Sequence, residues 1–423
     1  MAILRFYLIF VNMIHLRENY IKQIHNALQL LPIVVLIGAR QVGKTSIMKS
    51  LPLYGKTVFL DAQDPDVAEL FKNTNTIKNY LKIHLDSDLN GFLLLDEFQF
   101  INEIHTKLKL LTDHNPKLKI ICSGSSSITI YQHVKESLAG RVRFIDVYSL
   151  SFTENLMFSK PELSKLYEKY TIETDYAVID KRFEIILNEY LIYGGFPRLT
   201  ETTDTDQKAE LLNDIYKTYL LRDVRSFIRN EDFVGFNKML RILAIEIGNM
   251  INIHNISKSC GLSYRKSEEY LDLLEQMFII QRIDPFHSNK KKLITKMKKL
   301  YFTDIGLRNV ILGNFNHPET RSDAGALLEN FVFLEISRKI KTHHKIYYYR
   351  TLDGSEVDFI IDTMETIIPV EVKSKAFKMP KTLKNIVAFN NSHSAKTSWI
   401  INKSLNTKAE NTNFLPAVLI SKF

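Results

Sequence analysis

The chain has 423 residues, of which 45% are hydrophobic and 24% are charged. This composition is typical of globular proteins and excludes collagen-like and low-complexity chains, and the length favours two to four domains. The formal net charge of +9 indicates either a polyanionic partner or simply a charge excess that keeps the protein in solution.

The N-terminus and the cysteines bear on cellular location. Cys122 and Cys260 are too far apart in sequence to indicate a disulfide framework or a zinc site, so we expect a cytoplasmic protein. The apolar segment Met1–Ile14 is too short to span a bilayer and lacks a signal-peptide cleavage site. We therefore expect no stable membrane association. Residues 1–12 are predicted to be an N-terminal extension, and Met13 is an alternative start.

The first predicted domain, residues 13–150, alternates short apolar strands with helices. The strands are short runs rich in Val, Ile and Leu, which is typical of buried parallel strands. They are predicted at 33–37, 57–60, 92–95 and 118–122. Strands that alternate with helices predict an α/β fold with a doubly wound parallel sheet.

A phosphate-binding motif follows the first predicted strand directly. It reads Gly38-Ala39-Arg40-Gln41-Val42-Gly43-Lys44-Thr45, with Ser46 in the helix that follows. Backbone N–H groups of such a loop, together with the helix N-terminus, bind phosphates. Lys44 is expected to reach the β- and γ-phosphates and Thr45 to hold Mg²⁺. The sequence therefore predicts that the chain binds ATP with Mg²⁺. The alternative, a chance glycine-rich turn, is disfavoured because the motif has a strand before it and a helix after it.

Further candidate residues lie at the ends of later strands. Asp96 is predicted to complete the Mg²⁺ shell, and Glu97 to polarise the attacking water as a general base. Ser123 or Ser125 is a candidate sensor of the γ-phosphate or, alternatively, part of a turn after the strand. Arg141 is either a catalytic finger for a neighbouring subunit of a homo-oligomer or a partner in a surface salt bridge.

The middle of the chain is predicted to be helical. Residues 151–240 form a predicted helical lid region, which Gly194-Gly195-Phe196-Pro197 interrupts. Residues 241–319 are predicted to form a winged-helix-like module. It contains helices at 257–260 and 264–277 and candidate wing strands at 278–281 and 299–302. Arg265 and Lys266 open the candidate recognition helix.

A lysine-rich stretch follows the predicted helix-turn-helix. It is interpreted as a wing that contacts DNA phosphates without reading sequence, or else as a solvated loop. Its members are Lys290, Lys291, Lys292, Lys296, Lys298 and Lys299.

The last predicted domain, residues 320–423, is a small α/β unit with a helix at 325–341 and strands at 345–350, 357–361 and 367–373. Asp358 lies on one strand, and Glu371 and Lys373 lie on one face of the next. Asp358 and Glu371, with Glu329 from the helix, are predicted to hold Mg²⁺ or Mn²⁺, which would activate water for phosphodiester attack beside Lys373. The alternative is two strands with charged edges.

These motifs together resemble the prokaryotic AAA-family ATP-binding proteins that carry a C-terminal domain of unknown function 4143. The resemblance runs from about residue 13 to the end, and its specificity comes from the order of the motifs. The matching stretches are 38–45, Leu94-Leu95-Asp96-Glu97, 123–127, Ser137-Leu138-Ala139-Gly140-Arg141, 150–152, Tyr193-Gly194-Gly195-Phe196-Pro197, Tyr301-Phe302-Thr303-Asp304-Ile305-Gly306, Leu327-Leu328-Glu329-Asn330, 354–358 and 371–373.

The resemblance implies an AAA-type core, a winged-helix module and a C-terminal domain similar to the PD-(D/E)XK nucleases, which share a restriction-endonuclease-like fold. The proline of that motif is absent, because Val357 precedes Asp358. The resemblance implies domains rather than a pathway.

The sequence therefore predicts an ATP-hydrolysing, DNA-directed protein whose C-terminal site cleaves DNA. The first alternative is an ATP-dependent switch whose nuclease-like domain binds without cutting. A second alternative, a purely structural nucleotide-binding adaptor, is disfavoured by Glu97.

Overall fold

The computed structural model describes residues 17–125, 136–286, 297–341 and 343–423. The chain divides into two compact units, one of Met1–Tyr148 with Gln276–Phe278 and one of Ser149–Glu275 with Ile279–Phe423. The predicted N-terminal extension and Lys290, Lys291, Lys292 and Lys296 lie outside the described residues, as does the side chain of Ser125. In the described ranges, none of the helices combines the length and the apolar character needed to cross a membrane.

The first unit is a parallel sheet with helices between its strands. The strands are β1 (Ile33–Gly38), β2 (Thr57–Asp61), β3 (Gly91–Asp96), β4 (Leu118–Ser125) and β5 (Val142–Asp146). The helices are α1 (Glu18–Leu30), α2 (Lys44–Lys49), α3 (Pro65–Leu70), α4 (Thr74–His84) and α5 (Ile104–Asp113). The order across the sheet is β2-β3-β4-β1-β5, and all pairings are parallel.

This sheet confirms the predicted α/β fold with a parallel sheet. Every residue of β1 is buried, which is why its sequence is an unbroken apolar run. Because β1 lies between β4 and β5, the loop after it lies near the carboxyl ends of β3 and β4. Ligands collect at this edge of a doubly wound sheet. The fifth strand was not predicted, since its residues Val142–Asp146 alternate with charges.

The second unit begins with helices. They are α6 (Phe152–Ser159), α7 (Pro161–Glu168), α8 (Arg182–Tyr193), α9 (Thr205–Ile215), α10 (Phe233–Ile245), α11 (Ile253–Cys260) and α12 (Tyr264–Gln276). A π-helical segment, Tyr216–Asp223, follows α9. The turn between α11 and α12 uses Gly261 with a φ of 69°. An antiparallel pair, β6 (Ile280–Ile283) and β7 (Lys299–Phe302), comes next, in the order expected of the predicted module.

The C-terminal part of this unit is a mixed sheet. It contains α13 (Ile305–Leu312), α14 (Ala324–Ser337), α15 (Lys384–His393) and six strands. The strands are β8 (Lys345–Arg350), β9 (Glu356–Asp362), β10 (Ile367–Val372), β11 (Ser398–Asn402), β12 (Thr407–Ala409) and β13 (Thr412–Pro416). Their order is β12-β13-β11-β10-β9-β8, in which β8, β9 and β10 form an antiparallel meander.

The glycine pair after α8 packs against the start of α13. The Asp304 carboxylate accepts hydrogen bonds from Gly195 N at 2.9 Å and from Leu307 N at 3.0 Å. A Cβ on Gly194 would lie 2.3 Å from Asp304 Oδ1, and one on Gly306 would lie 1.9 Å from Tyr193 O. The two glycine-containing motifs therefore form a close backbone contact in the second unit, which explains why side chains are absent there.

Candidate functional site

The phosphate-binding loop has the backbone that an anion site requires. Gln41 and Gly43 both have positive φ, 61° and 92°, which turns the loop tightly before α2. A Cβ on Gly38 would lie 2.1 Å from Val147 O, so only glycine fits there. Ala39 and Val42 are buried, whereas Arg40 and Ser46 are exposed. The loop is thus packed against the sheet at its base and open toward solvent at its rim.

Lys44 points back into this loop. It is 5% exposed, and Nζ donates to the carbonyl oxygens of Gly38 at 3.0 Å and Ala39 at 2.7 Å. Burial lowers the pKa of Lys44 to about 8, and the charges of Glu97 and Asp96 oppose this shift. Negative charge brought beside Nζ would favour its protonated form. Lys44 therefore suits a polyphosphate ligand.

Asp96, at the end of β3, connects the loop to the neighbouring strand. Its carboxylate accepts hydrogen bonds from Thr45 Oγ1 at 2.7 Å, from Ser123 Oγ and from Glu97 N at 3.2 Å. Asp96 and Ser123 are buried, and Thr45 is half-buried. A hydroxyl and a carboxylate in contact are an oxygen pair that fits Mg²⁺. Thr45 and Asp96 would hold this ion, which supplies charge neutralisation to a bound triphosphate.

Glu97 follows in a left-handed conformation, with a φ of 49°. Its side chain is half-buried and accepts a hydrogen bond from Gln99 Nε2. A Cβ on the nearby Gly124 would lie 2.7 Å from Gln99 Oε1, so this glycine leaves room for the amide. The carboxylate that was predicted to act as a base is therefore held by an amide from its own loop.

Arg17 is a residue at this site that the sequence did not reveal. It is 5% exposed, and Nη1 donates to Val42 O in the loop at 3.0 Å and to Tyr148 O at 2.9 Å. The guanidinium carbon also lies 4.5 Å from the centre of the Tyr20 ring. No local motif marks this residue, because its partners are 25 and 131 positions away.

Arg141, the candidate finger, forms a surface ion pair within its own unit. Nε and Nη2 donate to the two carboxylate oxygens of Asp113 at 2.6 and 3.2 Å. The Arg141 and Asp113 side chains are 36% and 35% exposed. Hydrogen bonding to Arg141 lowers the pKa of Asp113, which is the shift expected of a charged pair. A role of Arg141 in a neighbouring subunit stays a prediction that requires this pair to open.

The C-terminal acids lie where β9 and β10 run side by side. Asp358 Oδ2 accepts a hydrogen bond from Val372 N at 2.8 Å, and Lys373 Nζ donates to Glu371 Oε1 at 2.5 Å. Glu371 is 3% exposed, and its Oε2 has no hydrogen-bond partner. Burial and the charge of Asp358 raise the pKa of Glu371 to about 7, against the effect of Lys373. Three of the predicted residues are therefore neighbours.

Glu329, the third predicted metal ligand, contacts a lysine from β7. Lys299 Nζ lies 3.2 Å from Glu329 Oε1, 2.6 Å from Glu356 Oε1 and 4.0 Å from Asp358 Oδ1. Tyr301 OH donates to the same Glu329 oxygen at 2.7 Å. Burial alone would lower the pKa of Lys299, but Glu329, Asp358 and Glu356 reverse this and raise it.

This arrangement corrects the interpretation of Lys299 as a DNA contact. The side chain of Lys299 is 3% exposed and is surrounded by carboxylates, so it is inaccessible to phosphates. Lys298 next to it is 46% exposed and pairs with Asp284 at 3.3 Å. In the predicted recognition helix, Lys266 pairs with Asp232 at 2.5 Å, whereas Arg265 is exposed beside Glu269.

The acids of the C-terminal cluster are not arranged as a metal site while Lys299 and Lys373 pair with them. Within the described ranges, no three or more His, Cys, Asp or Glu side chains are arranged to hold a metal ion. Glu329 and Glu356 face the Lys299 ammonium instead. Lys373 pairs with Glu371 Oε1, which leaves Glu371 Oε2 as a single acceptor, too few for a site built from protein oxygens.

Two segments in the middle and C-terminal parts of the chain match families of unknown function. Residues 185–317 match a family described as domain of unknown function 8612, and residues 324–420 match domain of unknown function 4143. An uncharacterized protein of Methanocaldococcus jannaschii is 28% identical over 354 residues, which cover 82% of this chain and 74% of that protein. One of Haemophilus influenzae is 24% identical over 379 residues, covering 86% and 87%.

Solved structures to which the chain is similar include a Walker-type ATPase of Pyrococcus abyssi. It is 15% identical, with a TM-score of 0.49, over 70% of this chain and 95% of that one. The ORC1 protein of Aeropyrum pernix, solved in complex with DNA, is 11% identical, with a TM-score of 0.32, over 70% and 92%. Residues 31–156 match the family described as AAA domain. Together with the loop, Lys44 and Asp96 geometry, this match identifies the segment as an AAA-type P-loop ATPase domain.

Proposed function

We propose that this chain hydrolyses ATP with Mg²⁺ at the P-loop and uses the cycle as a switch in a nucleic-acid-directed process. One observation carries the proposal: the Asp96 carboxylate joins Thr45 of the P-loop to Ser123 of β4. The oxygens proposed to bind the metal and the candidate γ-phosphate sensor are therefore joined by hydrogen bonds to one carboxylate. A change at the γ-phosphate is thereby coupled to the sheet.

Each residue has a role that follows from its position. Lys44 binds the β- and γ-phosphates, and Thr45 and Asp96 hold Mg²⁺. Glu97 accepts a proton from the attacking water, and Gln99 orients its carboxylate until substrate arrives. Residues 38–43 supply backbone N–H groups to the phosphates. These assignments are those predicted from the sequence, with Gln99 added.

The proposal of DNA as a partner is supported by a basic segment in the C-terminal part of the chain. Residues 372–409 contain eight lysines and no Asp or Glu. Outside this segment, 48 Lys and Arg face 47 Asp and Glu, so nearly all of the net charge of +9 comes from it. Four of its lysines are exposed between β10 and the start of α15: Lys375, Lys378, Lys381 and Lys384. Such a cluster suits phosphate contacts that do not depend on base sequence.

Steady-state hydrolysis tests the ATPase proposal. Lys44→Ala should abolish ATP binding, and Glu97→Gln should bind ATP but lose about 10²–10⁴ of the turnover rate. Lys49→Ala is a matched control in the same helix, because Lys49 is exposed at the end of the helix away from the loop. Unchanged turnover in Glu97→Gln would contradict the assignment of the base.

Salt-dependent binding tests the DNA proposal. Changing the four exposed lysines to glutamine should weaken binding to all DNA sequences alike and flatten the salt dependence by about one unit of slope for each phosphate that is no longer neutralised. Four exposed lysines elsewhere, Lys22, Lys72, Lys117 and Lys165, provide a control with equal net charge. Equal weakening in both variants would mean that net charge, and not this segment, binds DNA.

Metal-dependent cleavage of DNA is the competing function. The proximity of Asp358, Glu371 and Lys373 around the β9–β10 pair favours it, whereas the Lys299 ammonium beside Asp358 opposes it. Nicking of plasmid or single-stranded DNA with Mn²⁺, abolished by Asp358→Ala while ATP hydrolysis survives, would establish it. If purified protein nicks no form of DNA with or without ATP, the proposal of an ATP-dependent switch without DNA cleavage is retained.

A further inference from the structure

The lysine on β7 holds the position that a metal would need in the C-terminal acidic cluster. We infer that the Lys299 ammonium is the resident cation of Glu329, Glu356 and Asp358, and that it excludes a divalent metal from them. This inference concerns the second unit alone and does not depend on ATP hydrolysis.

The fold fixes Lys299 in place. Its backbone pairs with Ile283 of β6 on one side and forms a bridge to Met250 on the other. One residue earlier, Lys298 O accepts a hydrogen bond from Ile251 N at 2.8 Å. Because Lys299 lies on a strand paired on both sides, its backbone is fixed, and burial of the side chain keeps the ammonium beside the acids.

The helix that carries Glu329, α14, is hydrogen-bonded to the same strand, β7. The Asn330 side chain accepts a hydrogen bond from Phe302 N at 2.8 Å and donates one to Phe302 O at 2.9 Å. Glu329 receives Tyr301 OH and Lys299 Nζ, which are two residues apart and therefore on one face of β7. Glu329 and Asn330 thus dock α14 onto β7, and this role accounts for both residues without a metal.

Each carboxylate oxygen of Asp358 already lies near a cation or a hydrogen-bond donor. Its Oδ1 lies 4.0 Å from Lys299 Nζ, and its Oδ2 accepts from Val372 N. The next acid, Glu371, is paired with Lys373. A divalent ion between these carboxylates would have an ammonium on either side, and like charges at such distances repel strongly where burial limits solvent screening.

Mn²⁺ binding in the absence of nucleotide tests the inference. The decrease of the free Mn²⁺ signal in electron paramagnetic resonance is measured on full-length protein carrying Asp96→Asn, which removes the metal ligand of the first unit. Protein with Lys299 intact should bind no Mn²⁺ at millimolar concentration. Lys299→Met should bind one equivalent, and adding Asp358→Asn should remove it. Lys298→Met is the matched control and should gain nothing, because Lys298 is exposed outside the cluster.

Two results would overturn the inference. One is an equivalent of Mn²⁺ bound with Lys299 intact and released by Asp358→Asn. The other is a folded Lys299→Met protein that binds none. If Lys299→Met does not fold, the melting temperature of Glu356→Gln tests the inference instead. The melting temperature should fall, because the substitution removes a partner of Lys299. An equal or higher melting temperature would mean that the substitution relieves repulsion in an uncompensated acidic site, and it would contradict the inference.

Discussion

Asp304 provides the sharpest test of how the second unit is held together. It is 3% exposed and accepts hydrogen bonds from Gly195 N and Leu307 N, at 2.9 and 3.0 Å. Asp304→Ala leaves both N–H groups buried without a partner, and each such group costs about 1–3 kcal/mol. The free energy of unfolding should therefore fall by about 2–6 kcal/mol. Asp304→Asn retains one acceptor oxygen and should lose about half as much.

A matched control separates burial from helix capping. Asp204 caps α9 with the same pattern, accepting from Asp206 N at 2.9 Å and Gln207 N at 3.0 Å, but it is exposed. Asp204→Ala should cost only about 0.5–2 kcal/mol, because water can reach the freed groups.

The assay uses the single tryptophan. Trp399 lies in β11, so its fluorescence during urea unfolding reports on the second unit. ATP hydrolysis by folded Asp304→Asn should stay near the wild-type rate, since Asp304 lies in the second unit and the P-loop in the first. The reasoning fails if Asp304→Ala is no less stable than Asp204→Ala. It also fails if folded Asp304→Asn loses hydrolysis.

Two further predictions concern the P-loop domain. Arg17→Met removes two hydrogen bonds from a charged donor, one to Val42 O in the loop, and should raise the KM for ATP by about 10-fold or more while changing kcat less. A fall in kcat alone would instead assign Arg17 to the chemical step. Arg141→Ala should lower turnover by about 10³–10⁵ if the arginine acts in a neighbouring subunit. Mixing it with Lys44→Ala protein should then partly restore activity, and mixtures that never exceed the sum of their parts would leave Arg141 with its Asp113 pair.

The P-loop domain was predictable because its signals are local. Apolar runs predicted the first four parallel strands, and the spacing of Gly38, Gly43 and Lys44 predicted the phosphate-binding loop. β5 was missed because an edge strand carries Arg143 and Asp146, so its pattern does not resemble that of β1. The contact of Arg17 with the loop was also missed, because nothing near position 17 indicates a partner 25 residues away.

The C-terminal cluster was only partly predictable, for a similar reason. Period-two alternation placed Glu371 and Lys373 on one face, and they are in contact. Lys299 was grouped with the lysines around it, since a single sequence cannot distinguish a buried lysine from its solvated neighbours. Its partners Glu329 and Glu356 lie 30 and 57 positions further along the chain, and only the fold brings them to it.

Two buried lysines of this chain, Lys44 and Lys299, show how the same residue type prepares one site for a ligand and closes another. Lys44 is held by the neutral carbonyls of Gly38 and Ala39, and burial lowers its pKa to about 8. An arriving polyphosphate would supply the negative charge that this ammonium lacks in direct contact. Lys299 already has two carboxylates within 3.2 Å, and with Asp358 they raise its pKa despite burial. It gains nothing from a further anion, and its charge opposes a metal. The first site therefore depends on a ligand, whereas the second is complete within the chain.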